Sequence, residues 1–372
     1  ASASLLALPA SLPAQQLAKK EAKPKPASTQ WDLMDQGAFL SSGLQVPGAA
    51  VDHARPALKG ISIRVGPNQE ATMCFDTERC RMAIGWTGGF LKLPTGREGL
   101  EGVPQPAPET SVVFSSAVLP GWADKDGNFA EPKPPVKDGG ELVSFGPLPK
   151  DWAHWRGLYV NGKQVVLSYT VGGASGREPP DIPAASRTFT RTFQIENFTT
   201  PLTLLVCDDA SKDASRAIAV SFSETGPSKV KTEHITTAEG RRLVKLTPLA
   251  KSATFTVGVW SGPATELEAY HKGSKPAAET ADLKKLIKGG AANWNPVIET
   301  KGALGKGDGP YVVDTLTIPD GKDNPWNSWI RTSGFDFFKD ATKAALCSVS
   351  GDVWLVSGID DTLEHLKWKR FA

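Results

Sequence analysis

Residues 188–195 read Thr-Phe-Thr-Arg-Thr-Phe-Gln-Ile, and the alternation puts Phe189, Phe193 and Ile195 on one face of an extended chain. Similar short apolar runs recur along the chain. "GISIRVG" (60–66), "ATMCFD" (71–76), "MAIGWTGGFLKL" (82–93) and "TSVVFSSAVL" (110–119) come first. "GLYVNGKQVVLSYTV" (157–171), "PLTLLVCD" (201–208), "RAIAVSFSE" (216–224), "KVKTEHITT" (229–237), "RRLVKLTPL" (241–249) and "ATFTVGVWSG" (253–262) follow. Roughly a dozen strands at this spacing predict an all-β fold, either a β-sandwich or a larger two-sheet supersandwich.

The turn chemistry sharpens this picture. Asn161-Gly162 lies between two strand-like runs and predicts a type I′ hairpin, whose two central residues both need positive φ. "VGGASGREPPDIP" (171–183) reads as a long hairpin loop, and Pro-rich chain follows it where a dinucleotide site would need a helix. One helix interrupts the strands. "ETADLKKLIKGG" (279–290) offers Thr280 as N-cap, Asp282 in the first turn and Gly289 as stop, and would close the sandwich through Leu283, Leu286 and Ile287.

Beyond it the rhythm changes. Residues 291–309 read as a connection, and "YVVDTLTIP" (311–319) as a strand. Phe335-Asp336-Phe337-Phe338 and "KAALCSVSGDVWLVSGI" (343–359) read as a hairpin of the kind that begins a β-propeller blade. The expected organisation is therefore a tail over 1–30, a sandwich over 31–290, a linker over 291–309 and the start of a propeller-like domain over 310–372. An isolated hairpin is marginal in water, so a partner or the protein's own downstream domain is expected to complete it.

Composition fits a turn-rich β protein, with 36 Gly and 29 Pro among 372 residues. The net charge of +2 gives no field that would draw nucleic acid. No run of 18 apolar residues occurs, so no membrane-spanning helix is expected. The opening "ASASLLALPASLPAQQ" reads either as the remnant of a secretory signal or as an Ala/Pro-rich tail.

The four cysteines bear on the compartment. A Cys74–Cys80 bridge would suit an exported protein, and two buried thiols are the alternative. Cys207 and Cys347 end apolar runs and read as core thiols. There is no CxxC pair for a structural zinc and no CxxCH for a c-type haem, so no cofactor is expected within these residues.

Candidate chemistry is sparse. Trp152, His154, Trp155 and Arg156 cluster before a strand, and would either stack on a sugar ring and bind its hydroxyls or plug the end of a sandwich. "GWTGGF" (85–90) places Trp86 and Phe90 around three glycines, as a ligand-facing loop or, the structural alternative, a β-bulge with two core aromatics. Asp124, Asp126 and Asn128 alternate like calcium ligands. Position 12 of that loop is Pro135, which excludes an EF-hand and leaves a looser calcium turn or a plain Asp-Gly turn. Adjacent carboxylates such as Asp208-Asp209 point to opposite sides of a strand and do not pair as glycosidase acids. No HExxH or GxSxG occurs, and no catalytic constellation is visible.

Several longer motifs carry a resemblance. "WDLMDQGAFLSSGLQV", "CFDTERCRMAIGWTGGFLKL", "GPLPKDWAHWRGLYVNGKQVVLSYTVGG" and "NPWNSWIRTSGFDFFKDATKAALCSVSGDVWLVSGID" resemble large secreted bacterial proteins with an uncharacterised N-terminal β-domain. In those proteins the domain precedes a propeller similar to sorbosone or glucose dehydrogenases, and usually a c-type cytochrome domain. The resemblance spans about residues 30–372. It implies an exported, redox-linked, multidomain protein concerned with sugars, with haem only in a continuation beyond residue 372. The expected role is a non-catalytic binding or assembly module with carbohydrate as the favoured ligand. The alternatives are the front of a propeller sugar oxidoreductase, or a structural subunit of a surface assembly.

Overall fold

The computed structural model describes residues 33–49, 54–93, 106–131, 136–138, 141–143, 146–184, 186–208, 214–224, 229–273 and 283–372. Strands hold 48% of the residues and helices 6%, so the protein is all-β. The expected tail, the Thr280 cap and Asp282 lie outside the described residues.

The first sheet contains β1 (Phe39–Leu44), β2 (Ala57–Val65), β3 (Ala71–Asp76), β4 (Arg81–Thr87) and β5 (Val112–Ser115), antiparallel in that order. The second orders β6 (Ala153–Asn161), β7 (Gln164–Val171), β8 (Ala174–Glu178), β9 (Thr188–Glu196), β14 (Ser252–Pro263) and β11 (Arg216–Glu224), with Pro180–Asp181 also on β9. A third sheet orders β10 (Leu202–Asp208), β13 (Arg241–Pro248) and β12 (Val230–Thr236).

Alternation decides which side chains meet. Met73 and Phe75 of β3, Leu167 and Tyr169 of β7, Phe193 of β9, Phe255 and Val257 of β14, and Leu204 and Val244 of the third sheet share one core. β3 is buried on both faces. Its Cys74 lies in a second cluster with Ile84, Trp86 and Phe90.

Two turns differ from expectation. The β6–β7 hairpin pairs Asn161 with Gln164, so its loop is Gly162-Lys163, and only Gly162 has positive φ, at 60°. That is the pattern of a type II′ turn, whose first central residue is glycine, rather than type I′. Residues 171–183 are not a long loop either. Gly172-Gly173 make a tight turn with Gly172 at φ 54°, and β8 follows at once.

Of the predicted helix over 279–290, residues 283–290 are described. Two short helices are described, α1 (Leu267–Lys272) and α2 (Leu283–Leu286). Leu283 and Leu286 are buried against Val166 with Ile287 beside them, so the expected packing residues are the ones used.

The C-terminal sheet orders β15 (Ile298–Thr300), β19 (Leu366–Arg370), β18 (Val353–Ser357), β17 (Lys343–Ser348) and β16 (Thr332–Phe337). It is a four-stranded meander with a fifth strand drawn from the expected linker. Trp354, Trp368, Leu346 and Val356 form its core with Trp326. Residues 311–319 are not a strand. Tyr311 is 89% exposed, Val312 and Val313 are exposed too, and Thr315 makes only an isolated bridge to Ala303. The chain near Asp35 docks here. Asp35 N donates to the Trp326 carbonyl at 2.9 Å, and Arg370 Nη1 donates to the Asp35 carbonyl at 2.8 Å.

Candidate functional site

The glycine-rich corner after β4 is a structural wedge. Gly85 pairs with Phe114 and Trp86 with Val112, so the register slip between β4 and β5 falls at Val113 of β5 and not, as expected, at one of the glycines. Gly85 lies under the Phe114 ring, where a Cβ would collide. Gly88, at φ 84°, turns the chain in a conformation that glycine adopts without steric cost. Trp86 has 0% exposure, and its Nε1 donates to the Phe90 carbonyl at 2.8 Å. Phe90 is buried, with the Arg64 guanidinium 3.8 Å from its ring centre. Trp86 is therefore no ligand platform, because the bend folds it into the cluster around Cys74.

The second aromatic candidate also turns inward. Trp155 packs against the main core with its ring 5.5 Å from Phe75. Trp152 is half-buried and donates from Nε1 to the Trp122 carbonyl at 3.0 Å. Trp155 pairs with Tyr169 but Gly157 pairs with Ser168, so Arg156 is the extra residue of a bulge. The bulge leaves Arg156 exposed, while His154 is half-buried. The four residues do not form the expected ring-stacking site, because both indoles are packed against the core. Arg156 instead borders a shallow groove of about 610 Å³ with Tyr159, Ser168, Thr170, Ser175 and Arg177. Arg177 is held by Glu196 at 3.2 Å.

The Asp124 loop is a hydrogen-bonded turn. Asp124 Oδ1 accepts from Asp126 N at 2.9 Å and Asn128 N at 2.8 Å. The Asn128 amide in particular holds the Asp124 carboxyl below the usual carboxylate range. Asp126 pairs with Lys125. Among the described residues no group of three or more His, Cys, Asp or Glu is placed to hold a metal ion. No helix of the described residues is long and apolar enough to cross a membrane.

All four cysteines are free thiols, and the Cys74–Cys80 bridge is not formed. The two thiols belong to different core clusters. Cys74 faces the Trp86 cluster, whereas Cys80 belongs to the main core, with its Sγ 3.9 Å from the Thr77 carbonyl. Burial pushes the Cys74 thiol up to about 12 and raises Cys80 as well. Cys207 is buried as expected, but Cys347 is exposed because it lies opposite Leu346 on the uncovered face of β17.

Two buried ionic clusters were not anticipated. In the first, Asp76 Oδ2 meets Arg79 at 3.2 Å and Arg81 at 3.3 Å, and Arg79 Nε donates to Glu131 at 2.6 Å. Arg81 also donates to the Ser116 carbonyl at 2.8 Å and to the Pro56 carbonyl. Burial lowers the Arg81 pKa against the pull of Asp76, whereas for Arg79 the carboxylates of Asp76 and Glu131 outweigh burial. In the second, Arg191 donates to Glu178 through Nε at 2.5 Å and Nη2 at 3.1 Å, and Tyr169 OH donates to Glu178 Oε2 at 2.6 Å. Burial, reinforced by the Glu178 charge, raises Tyr169 well above its ordinary value. These clusters bridge neighbouring segments of the fold. A signal for the second was present, since Arg191 shares the odd-numbered face with Phe189, Phe193 and Ile195.

A family model described as a domain of unknown function, DUF6797, matches residues 73–178. The match runs from β3 to the last residue of β8, so the chain is similar to that family over the corner, the Asp124 turn, the β6 bulge and Glu178. No curated protein matches the chain.

Proposed function

We propose that this chain is a non-catalytic binding and assembly module of an exported, redox-linked multidomain protein. In this view the sheets that share the main core form a β-sandwich and the C-terminal meander is a propeller-type blade. The exported, redox-linked setting rests on the long motifs that resemble secreted propeller and cytochrome proteins.

Strand β16 carries the assembly role. It ends its sheet, and all six residues are exposed. Phe335 and Phe337 pair with Leu346 and Ala344, so they extend the buried face of the sheet, yet they are 44% and 52% exposed. Their rings touch edge to face at 5.1 Å. An apolar face beside an unpaired backbone edge favours a further strand or sheet as its cover. The proposed cover is another antiparallel sheet, supplied by a continuation of this polypeptide or by a partner.

Hydrogen exchange tests this. In the isolated chain, amides on the outer edge of 332–337 exchange fast. In the protein purified from its source they are protected. Fast exchange in both would refute assembly through β16. If the native mass is much larger than 39.6 kDa, the cover belongs to the same polypeptide, and the chemistry of a propeller oxidoreductase is to be sought in the added residues.

Carbohydrate remains the proposed ligand class, and the hydroxyl-lined grooves at the edges of the sheets favour it. Since Trp86, Trp152 and Trp155 pack inward, binding to a glycan panel is expected to survive Trp155→Ala in any folded variant.

A further inference from the structure

The geometry points to a saccharide-binding cleft between β5 and the β14–β11 edge of the second sheet, with a carboxylate-bearing sugar as its ligand. This inference rests on the carbohydrate reading and names its site.

Topology creates the opening. β5 is the last strand of the first sheet and β11 the last of the second, so two sheet edges meet there without a closing strand. The cleft is an open groove of about 770 Å³, lined by Thr110, Ser111, Val112, Arg187, Arg216 and Ser261 among others. A second cavity of about 230 Å³ continues it along β5, sharing Val112, Arg216 and Ser261 and reaching Ile218 and Asp208. Together these lie within the size range of small-ligand sites.

The sequence of β11 shows a change of chemistry at this mouth. Phe222, Val220 and Ile218 pair with Val257, Val259 and Ser261, and Arg216 continues the same face opposite Pro263. Phe222, Val220 and Ile218 pack on the main core. The inward row is thus apolar until it reaches the cleft, where it becomes Arg216 and Ser261.

The lining suits a sugar. Hydroxyls of Thr110, Ser111, Ser186 and Ser261 each donate and accept, as sugar hydroxyls require. Val112, Val113 and Pro263 offer apolar wall to the ring C–H groups. Three of the hydroxyls are already partly used: Thr110 donates to the Thr87 carbonyl at 2.5 Å, Ser186 accepts from Thr188 N at 2.9 Å, and Ser261 accepts from Arg216 at 3.1 Å.

Charge selects the class. Arg187 is shared with Glu266 at 2.7 Å. Asp208 is buried at the deep end. Arg216 is exposed and donates to the neutral Ser261 hydroxyl at 3.1 Å, which leaves guanidinium donors for a carboxylate. The groove beside Arg156 also presents an exposed guanidinium, but it lies on a sheet face and not between two sheet edges.

Isothermal titration calorimetry of the full chain with tri-galacturonate and with neutral maltotriose tests the inference. Tri-galacturonate should bind, at least tenfold tighter than maltotriose, and more weakly as salt rises. Arg216→Ala should weaken it tenfold or more without lowering the melting temperature, since Arg216 is exposed. Ser111→Trp, which fills the mouth from the other wall, should do the same. Wild-type affinity in both variants would overturn the cleft and leave the carbohydrate reading standing. Binding of maltotriose alone would overturn the acidic class. Binding of neither sugar would overturn the carbohydrate reading and the inference together.

Discussion

Replacing Arg191 by Met removes the only cation that bonds Glu178 among the described residues, and leaves a carboxylate in the core. Side-chain exposure of the pair is 1% and 0%, so water cannot take over the role of the guanidinium. Two hydrogen bonds, at 2.5 and 3.1 Å, are lost together. At an effective dielectric of about 20, two unit charges about 3 Å apart attract by roughly 5–6 kcal/mol. Removing one partner of a buried pair typically costs about 3–5 kcal/mol. The expected loss is therefore about 3–5 kcal/mol, a large share of a typical folding stability of about 5–15 kcal/mol. Urea unfolding followed by tryptophan fluorescence measures it, because Trp122 meets Phe193 edge to face in the same core.

The pH dependence separates charge from lost packing. Without its cation, the buried Glu178 carboxylate of the variant keeps the Tyr169 hydroxyl as a donor, and burial then disfavours its charged form. An acid with a raised folded pKa costs stability only where the unfolded chain ionises, so the deficit should shrink as pH falls toward about 4. Adding Glu178→Gln to the variant should restore part of the loss at pH 7. A deficit under about 1 kcal/mol, or one that does not change between about pH 7 and 5, would refute the claim that the guanidinium neutralises a buried carboxylate.

Three further outcomes follow from the same geometry. Ellman titration of native protein should count one reactive thiol, Cys347, and denatured protein four, whereas a Cys74–Cys80 bridge would give two. Raising the pH should lower stability. Burial raises the thiols of Cys74 and Cys80 and the phenol of Tyr169, so each contributes stability fully present below its unfolded pKa and lost as pH climbs above it. The decline should begin near pH 8.5, at about 1.4 kcal/mol per pH unit per group, and flatten in Cys74→Ala. Trp155→Ala should cost about 3 kcal/mol through the cavity left beside Phe75, measured by urea unfolding, and an unchanged midpoint would argue against its inward packing.

Local chemistry made much of the fold legible. Strict alternation at Thr188–Glu196 marked both a strand and its inward face, because successive side chains of an extended chain have nowhere else to go. The glycines of residues 85–90 marked a bend, and the Asp124 loop marked an Asx-type turn, since both depend on φ preferences and bonds within a few residues.

What failed depended on partners far away in sequence. The face that Arg156 shows is set by a bulge against β7, and the indoles beside it are claimed by Phe75 and Trp122 from other segments. β15 became a strand because β19, almost 70 residues later, offers it an edge, whereas residues 311–313, more apolar in sequence, pair with no strand among the described residues. Cys74 and Cys80 are close in sequence, but one lies on β3 and the other in the turn after it, and they belong to different core clusters. The sequence by itself determined the class of structure and the faces of its best strands, because those follow from steric periodicity along one chain. Only the tertiary structure decided which tryptophans are buried, which charges pair in the core, and where two sheet edges leave a cleft, because each of those depends on register between strands that local propensity does not encode.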